Sequence, residues 1–216
     1  MTASDNPSEL DRIRAEQAAR QARAAAVLNA RRAAGIDERI AGCTPYQAAV
    51  VAALAARRTT AIGDLRDDEF RKLIQSAERM NQAYLLSTPT KTITTEVSAR
   101  LEEILGSDDF PTENPGGSEG YFRGAAISIA CLRDAWTLQD LKHARSALDH
   151  AFYSFASQLG MHEAETACQS RDLEAVTALG EPITPEQFAE LAAAPASLAL
   201  GQAYRARVAE IIAAGQ

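Results

Sequence analysis

Apolar and polar positions follow a helical period over most of this chain, and two adjoining segments carry the strongest pattern. In the segment from Tyr121 to Trp136, apolar residues recur at spacings of three and four and also occupy the other faces, which is typical of a helix buried on all sides. The segment from Leu138 to Leu159 carries one apolar stripe, with Leu141, Leu148 and Phe155 each a heptad apart. We predict that the first segment forms the central helix and that the second packs against it.

Start signals predict further helices. Thr44-Pro45 and Thr184-Pro185 each place a capping hydroxyl before a proline at the first helical position. The acidic triplet from Asp67 to Glu69 suits the positive end of a helix dipole and precedes the most regular apolar stripe in the chain. β-branched residues cluster only from Thr90 to Val97, so nothing demands a sheet. The sequence predicts an all-α fold, a single-domain helical bundle of about seven or eight helices.

Residues 1–34 differ in character from residues 35–216, which we assign to the bundle domain. The segment from Ser8 to Ala34 is rich in Ala and Arg, and Gln17 and Gln21 interrupt its apolar stripe, so the bundle is expected to hold its middle weakly. One interpretation is a peripheral helix or frayed arm exposed to solvent. The other is a helix that docks onto a partner. In that case the partner-binding residues are Arg12, Arg14, Arg20, Arg23, Arg31 and Arg32.

Composition and charge narrow the classes of protein. With 216 residues, 46% of them hydrophobic, the chain can bury one substantial core. Its formal net charge of −7 disfavours binding to nucleic acid. No apolar run is long enough to span a membrane, and the polar start of the chain lacks the apolar core of a signal peptide. The three cysteines show no CxxC spacing, which indicates reduced thiols, and we expect a cytoplasmic protein.

Metal-ligating and nucleophilic motifs are weak. His143 and His150 lie seven residues apart, about 10 Å along a helix, whereas two ligands on one helix need a spacing of three or four. The chain contains no Glu-x-x-His motif of the kind used by di-iron bundles. We therefore expect no catalytic residue, no metal and no cofactor.

A glycine-rich loop leads into the predicted central helix. Gly116, Gly117 and Gly120 precede a helix start, where free N–H groups point outward, and Arg123 lies one turn further on. These four residues form a candidate site for a ligand or an anion, although no GK[ST] sequence follows them. The alternative is an ordinary connector between two helices.

One region resembles a known family. In order, the chain carries the segments Tyr46 to Leu54, Gly63-Asp64, Glu69 to Ile74, Leu101 to Ile104, Ser107 to Phe110 and Ala125 to Cys131. From Arg39 to Trp136 this order resembles the YjaG-like family, small bacterial helical proteins known for a domain of unknown function. The resemblance implies a compact helical fold and supplies no reaction or catalytic residue.

Together these features favour a non-enzymatic protein-interaction module, such as a regulator, an adaptor or a toxin-neutralising immunity-type protein. A protein partner would dock on the first helix, and a homodimer through that helix is a further possibility. The alternative is an enzyme or a helical protein that binds a small ligand or an anion in a pocket near residues 107–123.

Overall fold

The computed structural model describes residues 9–106 and 117–215, and these residues form helices without any strand. The all-α prediction is confirmed. The α-helices are α1 (Glu9–Ala33), α2 (Ile36–Ala41), α3 (Pro45–Thr59), α4 (Asp68–Leu85), α5 (Lys91–Leu105), α6 (Gly117–Leu138), α7 (Leu141–Asp149), α8 (His162–Leu179), α9 (Pro185–Ala192) and α10 (Pro195–Ala213). A 3₁₀ segment, Thr60–Leu65, follows α3, and a π-helical segment, His150–Ala156, follows α7.

The number of helices in the described residues exceeds the expected seven or eight. Short α2 is a separate helix because Gly35 precedes it with a φ of 59°, a left-handed conformation that glycine adopts without steric cost. The predicted continuous helix from Leu138 to Leu159 is divided, since its first part is α-helical and its second part is π-helical. The longer predicted helices are present.

Helix α6 lies at the centre of the bundle and packs against α3, α5, α7, α10 and the π-helical segment. Its side chains Phe122, Ile129 and Trp136 are at most 2% exposed. Helix α3 is buried without interruption from Ala48 to Ala56, and its small residues let α6 and α7 approach from two sides. The sequence-based prediction of a central helix with an adjoining packing partner is confirmed.

The π-helical segment packs very closely against α6. At Gly124 a Cβ atom would lie 3.0 Å from Cε2 of Phe155 and 3.3 Å from Cβ of Ser154. Phe155 is fully buried, so its ring has little room to move away. Gly124 therefore allows the close approach between the two elements.

The predicted helix starts are also confirmed. Thr44 and Thr184 each form a capping box with the glutamine three residues later. Asp67 caps α4, because its Oδ1 accepts a hydrogen bond of 2.9 Å from the backbone N–H of Phe70.

The cap of α4 provides a test of this part of the fold. We expect Asp67→Ala to lower the free energy of unfolding by about 1 kcal/mol, because it leaves a backbone N–H of the first turn without its acceptor. Asp67→Asn should retain most of the stability, since its amide oxygen can accept the same bond. Urea denaturation of both variants measures the difference, with Asp68→Ala, one residue along in the same exposed turn, as the control. Equal losses for Asp67→Ala and Asp68→Ala would contradict the assignment of the cap.

Candidate functional site

A buried guanidinium near the end of α3 binds two carboxylates from α8. Arg58 is 3% exposed, and Glu165 and Asp172 are fully buried. Nη2 and Nε of Arg58 donate to Oε1 and Oε2 of Glu165 at 2.7 and 3.1 Å, and Nη1 donates to Oδ2 of Asp172 at 2.6 Å. This arrangement uses the planar fork of arginine, which matches a carboxylate with two parallel hydrogen bonds.

Further polar side chains complete the hydrogen bonding of the two carboxylates. The hydroxyl of Tyr204 on α10 donates to Oε2 of Glu165 at 2.9 Å, and Nε2 of Gln169 donates to Oε1 at 3.0 Å. A second guanidinium, that of Arg171, contacts Oδ1 of Asp172 and donates to Oγ of Ser197 at 2.7 Å. Two cations thus balance two anions, which offsets the large cost of removing charges from water. We call this set of Arg58, Glu165, Gln169, Arg171, Asp172, Ser197 and Tyr204 the polar core.

Two members of the polar core have pKa values far above their ordinary ones. Burial works to lower the pKa of Arg58, but Glu165 and Asp172 outweigh it and hold that pKa above its ordinary value. Burial, together with the charge of Glu165, raises the pKa of Tyr204. Arg58 therefore stays charged and Tyr204 stays neutral over the pH range in which proteins are stable, so both act as fixed hydrogen-bond donors.

Arg31 joins α1 to the polar core. It is 4% exposed, and its Nη2 lies 2.5 Å from Oδ1 of Asp149 and 3.4 Å from Oδ1 of Asp37. Its Nη1 donates to Oε1 of Gln169 at 3.3 Å, and its guanidinium carbon lies 5.3 Å from the ring centroid of Phe152. Because Gln169 also binds Glu165, hydrogen bonds run from α1 to the centre of the bundle.

The part of α1 that precedes Arg31 is mostly exposed, in contrast to Arg31, which anchors the end of the helix. Every described side chain from Arg12 to Ala26 is exposed, and Val27 is the first buried residue along the described part of the helix. At a rise of 1.5 Å per residue, the exposed part is about 22 Å long. Helix α1 packs on α2 and α8. We call residues 12–26 the arm.

The six predicted partner-binding arginines divide into three groups. Arg12, Arg14 and Arg32 are exposed, whereas Arg31 is buried and uses its guanidinium inside the protein. The side chains of Arg20 and Arg23 lie outside the described part of the structure. The structure thus assigns Arg31 to holding the helix and leaves the exposed arginines as candidates for an interaction.

Three of the four residues of the predicted anion site lie in the first turns of α6. Gly116 lies outside the described residues, Gly117 opens α6 with a φ of 62°, and Gly120 and Arg123 are partly buried. In the same first turn, the carboxylate of Glu119 pairs with Arg66 from the segment before α4. This carboxylate places negative charge beside the N–H groups that an anion would need. The prediction of an anion site here stays a prediction.

Histidines and cysteines do not assemble into a metal site in residues 9–106 and 117–215, where no three His, Cys, Asp or Glu side chains come together to hold an ion. Cys43, Cys131 and Cys168 are free thiols. Burial raises the pKa of each thiol, that of Cys131 to about 11, so they stay protonated at neutral pH. Among the described helices, none combines the length and the apolar character needed to cross a bilayer.

No protein-family model, no curated protein and no solved structure matches this chain. The resemblance to the YjaG-like family stays a prediction.

The two consecutive arginines at the end of α3 provide a matched test of the polar core. We expect Arg58→Met to lower the free energy of unfolding by about 3–5 kcal/mol, because it leaves Glu165 and Asp172 buried without their shared counter-ion. Arg57→Met should change it by less than about 0.5 kcal/mol, since Arg57 is exposed. Urea denaturation near neutral pH measures both. A similar, small effect of the two substitutions would contradict the structural role of Arg58.

The stability of an Arg31 variant at two pH values tests the pairing of Arg31 with Asp149. Burial raises the pKa of Asp149 above its ordinary value, and Arg31 opposes this shift, so Arg31→Met should raise that pKa further. A raised carboxyl pKa favours folding below the ordinary pKa of the group, and this contribution is lost as pH rises through the folded-state value. Arg31→Met is therefore expected to destabilise the protein more at pH 7 than at pH 4. Chemical denaturation at both pH values checks this, and an equal loss at the two would contradict the pairing.

Proposed function

We propose that this protein is a non-enzymatic protein-interaction module, of the kind that serves as a regulator, an adaptor or a toxin-neutralising partner. Its arm docks on an acidic surface of another protein. The observation that carries the proposal is the exposure of every described side chain of the arm, while the end of the same helix is fixed to the bundle by Arg31.

Charge supports an acidic partner. Helix α1 contains six arginines and three acidic residues, whereas the whole chain has a formal net charge of −7. The rest of the chain is therefore more acidic than the whole, while α1 has an excess of basic over acidic residues. A basic helix next to an acidic body attracts a negative surface in one orientation and repels it in others, which favours specific docking.

The anchor supports a structural role for the end of α1. Flexible arms lose conformational entropy when they bind, which weakens the complex. Here Arg31 contacts Asp149, Asp37 and Gln169, so the last turns of α1 already have a fixed direction in the free protein. The arm then emerges from a rigid base, and less entropy is lost on binding.

The proposal places the protein in the cytoplasm. Three free thiols, two of them buried and none paired in a disulfide, support a reducing environment.

Charge reversal on the arm tests the proposal. The double variant Arg12→Glu/Arg14→Glu changes the arm, and Lys72→Glu/Arg207→Glu makes the same change of charge at exposed positions on α4 and α10. Each is used as bait in a cell extract beside the unchanged protein, at low and at high salt, and the partner is then purified to measure its dissociation constant. We expect one stoichiometric partner with an acidic docking surface. Its affinity should fall at least about tenfold for the arm variant and with rising salt.

Three outcomes contradict the proposal. They are a partner that binds both double variants equally, a partner whose binding is independent of salt, and the absence of any stoichiometric protein. Light scattering of the purified chain tests whether the arm binds a second copy of the chain. A dimer that dissociates in the arm variant alone would identify a second copy of this chain as the acidic surface.

A further inference from the structure

A cavity opens between α3, α4, α6 and α9, away from the arm. Its volume is about 260 Å³, close to the lower end of the range for small-ligand pockets. Its apolar walls come from four helices and include Ala53, Ala56, Ile129, Leu132 and Phe188. A second hollow of about 330 Å³, bordered by α10, shares the walls formed by Arg57, Thr60, Ile74 and Glu78. The two hollows therefore adjoin at these four residues.

The wall of the first cavity contains an asparagine whose orientation is fixed. Asn81 is 7% exposed, and its Oδ1 accepts a hydrogen bond of 3.1 Å from Nε1–H of Trp136. An indole can only donate, so the atom of Asn81 that faces it has to be the oxygen and not the nitrogen. Trp136 is itself held between Tyr84, stacked at 5.1 Å, and the ring of Tyr46, edge-on at 5.4 Å. The amide of Asn81 therefore cannot flip without losing this bond.

The nitrogen end of that amide is the next feature of the cavity wall. Nδ2 of Asn81 makes no hydrogen bond to any described residue. Among the described residues, the buried side-chain nitrogen and oxygen atoms without a hydrogen-bond partner are Nδ1 of His143 and Nδ1 of His162. Nδ2 of Asn81 is not one of them, so this atom reaches accessible space. Asn81 is one of the residues that line the cavity. The amide of a nine-tenths buried residue in the cavity wall thus has two N–H donors that no described acceptor uses, and they are open to an acceptor from outside.

Two opposite charges stand at the junction of the hollows. Arg57 and Glu78 are both exposed and line both hollows. Neither side chain forms an ion pair with another described residue, and they do not pair with each other, in contrast to Arg58, whose guanidinium is fully used. The cavity therefore combines an apolar interior and a fixed neutral donor with one unpaired cation and one unpaired anion at its edge.

We propose that this cavity binds a small carboxylate with an apolar body. The apolar body lies against Ile129, Leu132 and Phe188, and the carboxylate accepts from Nδ2 of Asn81 and pairs with Arg57. A carboxylate meets both requirements, since it accepts hydrogen bonds and carries negative charge. Glu78 offers the same site a second contact, because the ammonium group of an α-amino acid would pair with the carboxylate of Glu78.

Four probes and one uncharged analogue test the site. The carboxylates are 4-methylpentanoate and 3-phenylpropanoate, and the corresponding zwitterions are leucine and phenylalanine. 4-Methylpentanol, which lacks the charge, is the negative probe. Binding to the full-length protein is followed at millimolar concentrations by nuclear magnetic resonance of the Asn81 side-chain amide and by calorimetry. We expect saturable binding of at least one carboxylate with a shift of that amide, and affinity for the alcohol weaker by at least about tenfold.

Variants identify the groups that bind. Arg57→Gln changes an exposed residue and should weaken binding at least about tenfold and remove its dependence on salt. Asn81→Asp keeps the acceptor for Trp136 but replaces the donor by an anion, so it should abolish binding. Glu78→Gln distinguishes an amino acid from a simple carboxylate as the ligand. It should weaken the binding of leucine, and it should leave the affinity for 4-methylpentanoate unchanged or increase it. Arg79→Gln, on the same helix but paired with Glu96, is the control that should retain full affinity.

The inference is overturned if none of the four carboxylates saturates the protein. It is also overturned if binding leaves the Asn81 amide unshifted or survives Arg57→Gln unchanged. Because Arg57 is exposed, the last result does not depend on a variant that fails to fold.

Discussion

The structure depends on the charge balance around Arg58. Removing two carboxylates and a guanidinium from water is very costly, and the cost is offset only when every partner is in place at the same time. Glu165 and Asp172 on α8, Tyr204 on α10 and Arg58 on α3 satisfy this condition together. Apolar side chains tolerate small shifts of one helix against another, whereas such a network permits one arrangement. The polar core thus sets the relative positions of α3, α8 and α10.

The polar core also positions both proposed binding surfaces. Gln169 binds Glu165 on one side and Arg31 on the other, so the direction of α1 is coupled to the polar core. In the other direction, the rotation of α3 that buries Arg58 turns the preceding Arg57 to the rim of the cavity. One network therefore fixes the base of the arm and places a cation at the mouth of the cavity. A rigid body that carries one exposed basic helix and one lined pocket is an architecture suited to recognition.

The longer helices could be predicted from the sequence, because the start signals at Thr44 and Thr184 and the apolar period around Trp136 are local. The polar core could not, since burial of a charge depends on partners far along the chain. Glu165, Gln169 and Asp172 recur at spacings of four and three, which marks one face of α8, but a polar face normally faces solvent. Nor does sequence decide which residue of Arg57-Arg58 points inward. The orientation of Asn81 depends on Trp136, 55 positions away.

The most direct test of this account is amide hydrogen exchange of the unchanged protein, resolved by residue. Amides of α3, α8 and α10 should exchange together and only through global unfolding, because the polar core joins these helices. The last turn of α1 should be protected as well, since Arg31 holds it, while amides from Arg12 to Ala26 exchange much faster. Uniform protection along the whole of α1 would show that the arm packs on the bundle. Independent exchange of α8 would show that the polar core does not hold the fold together.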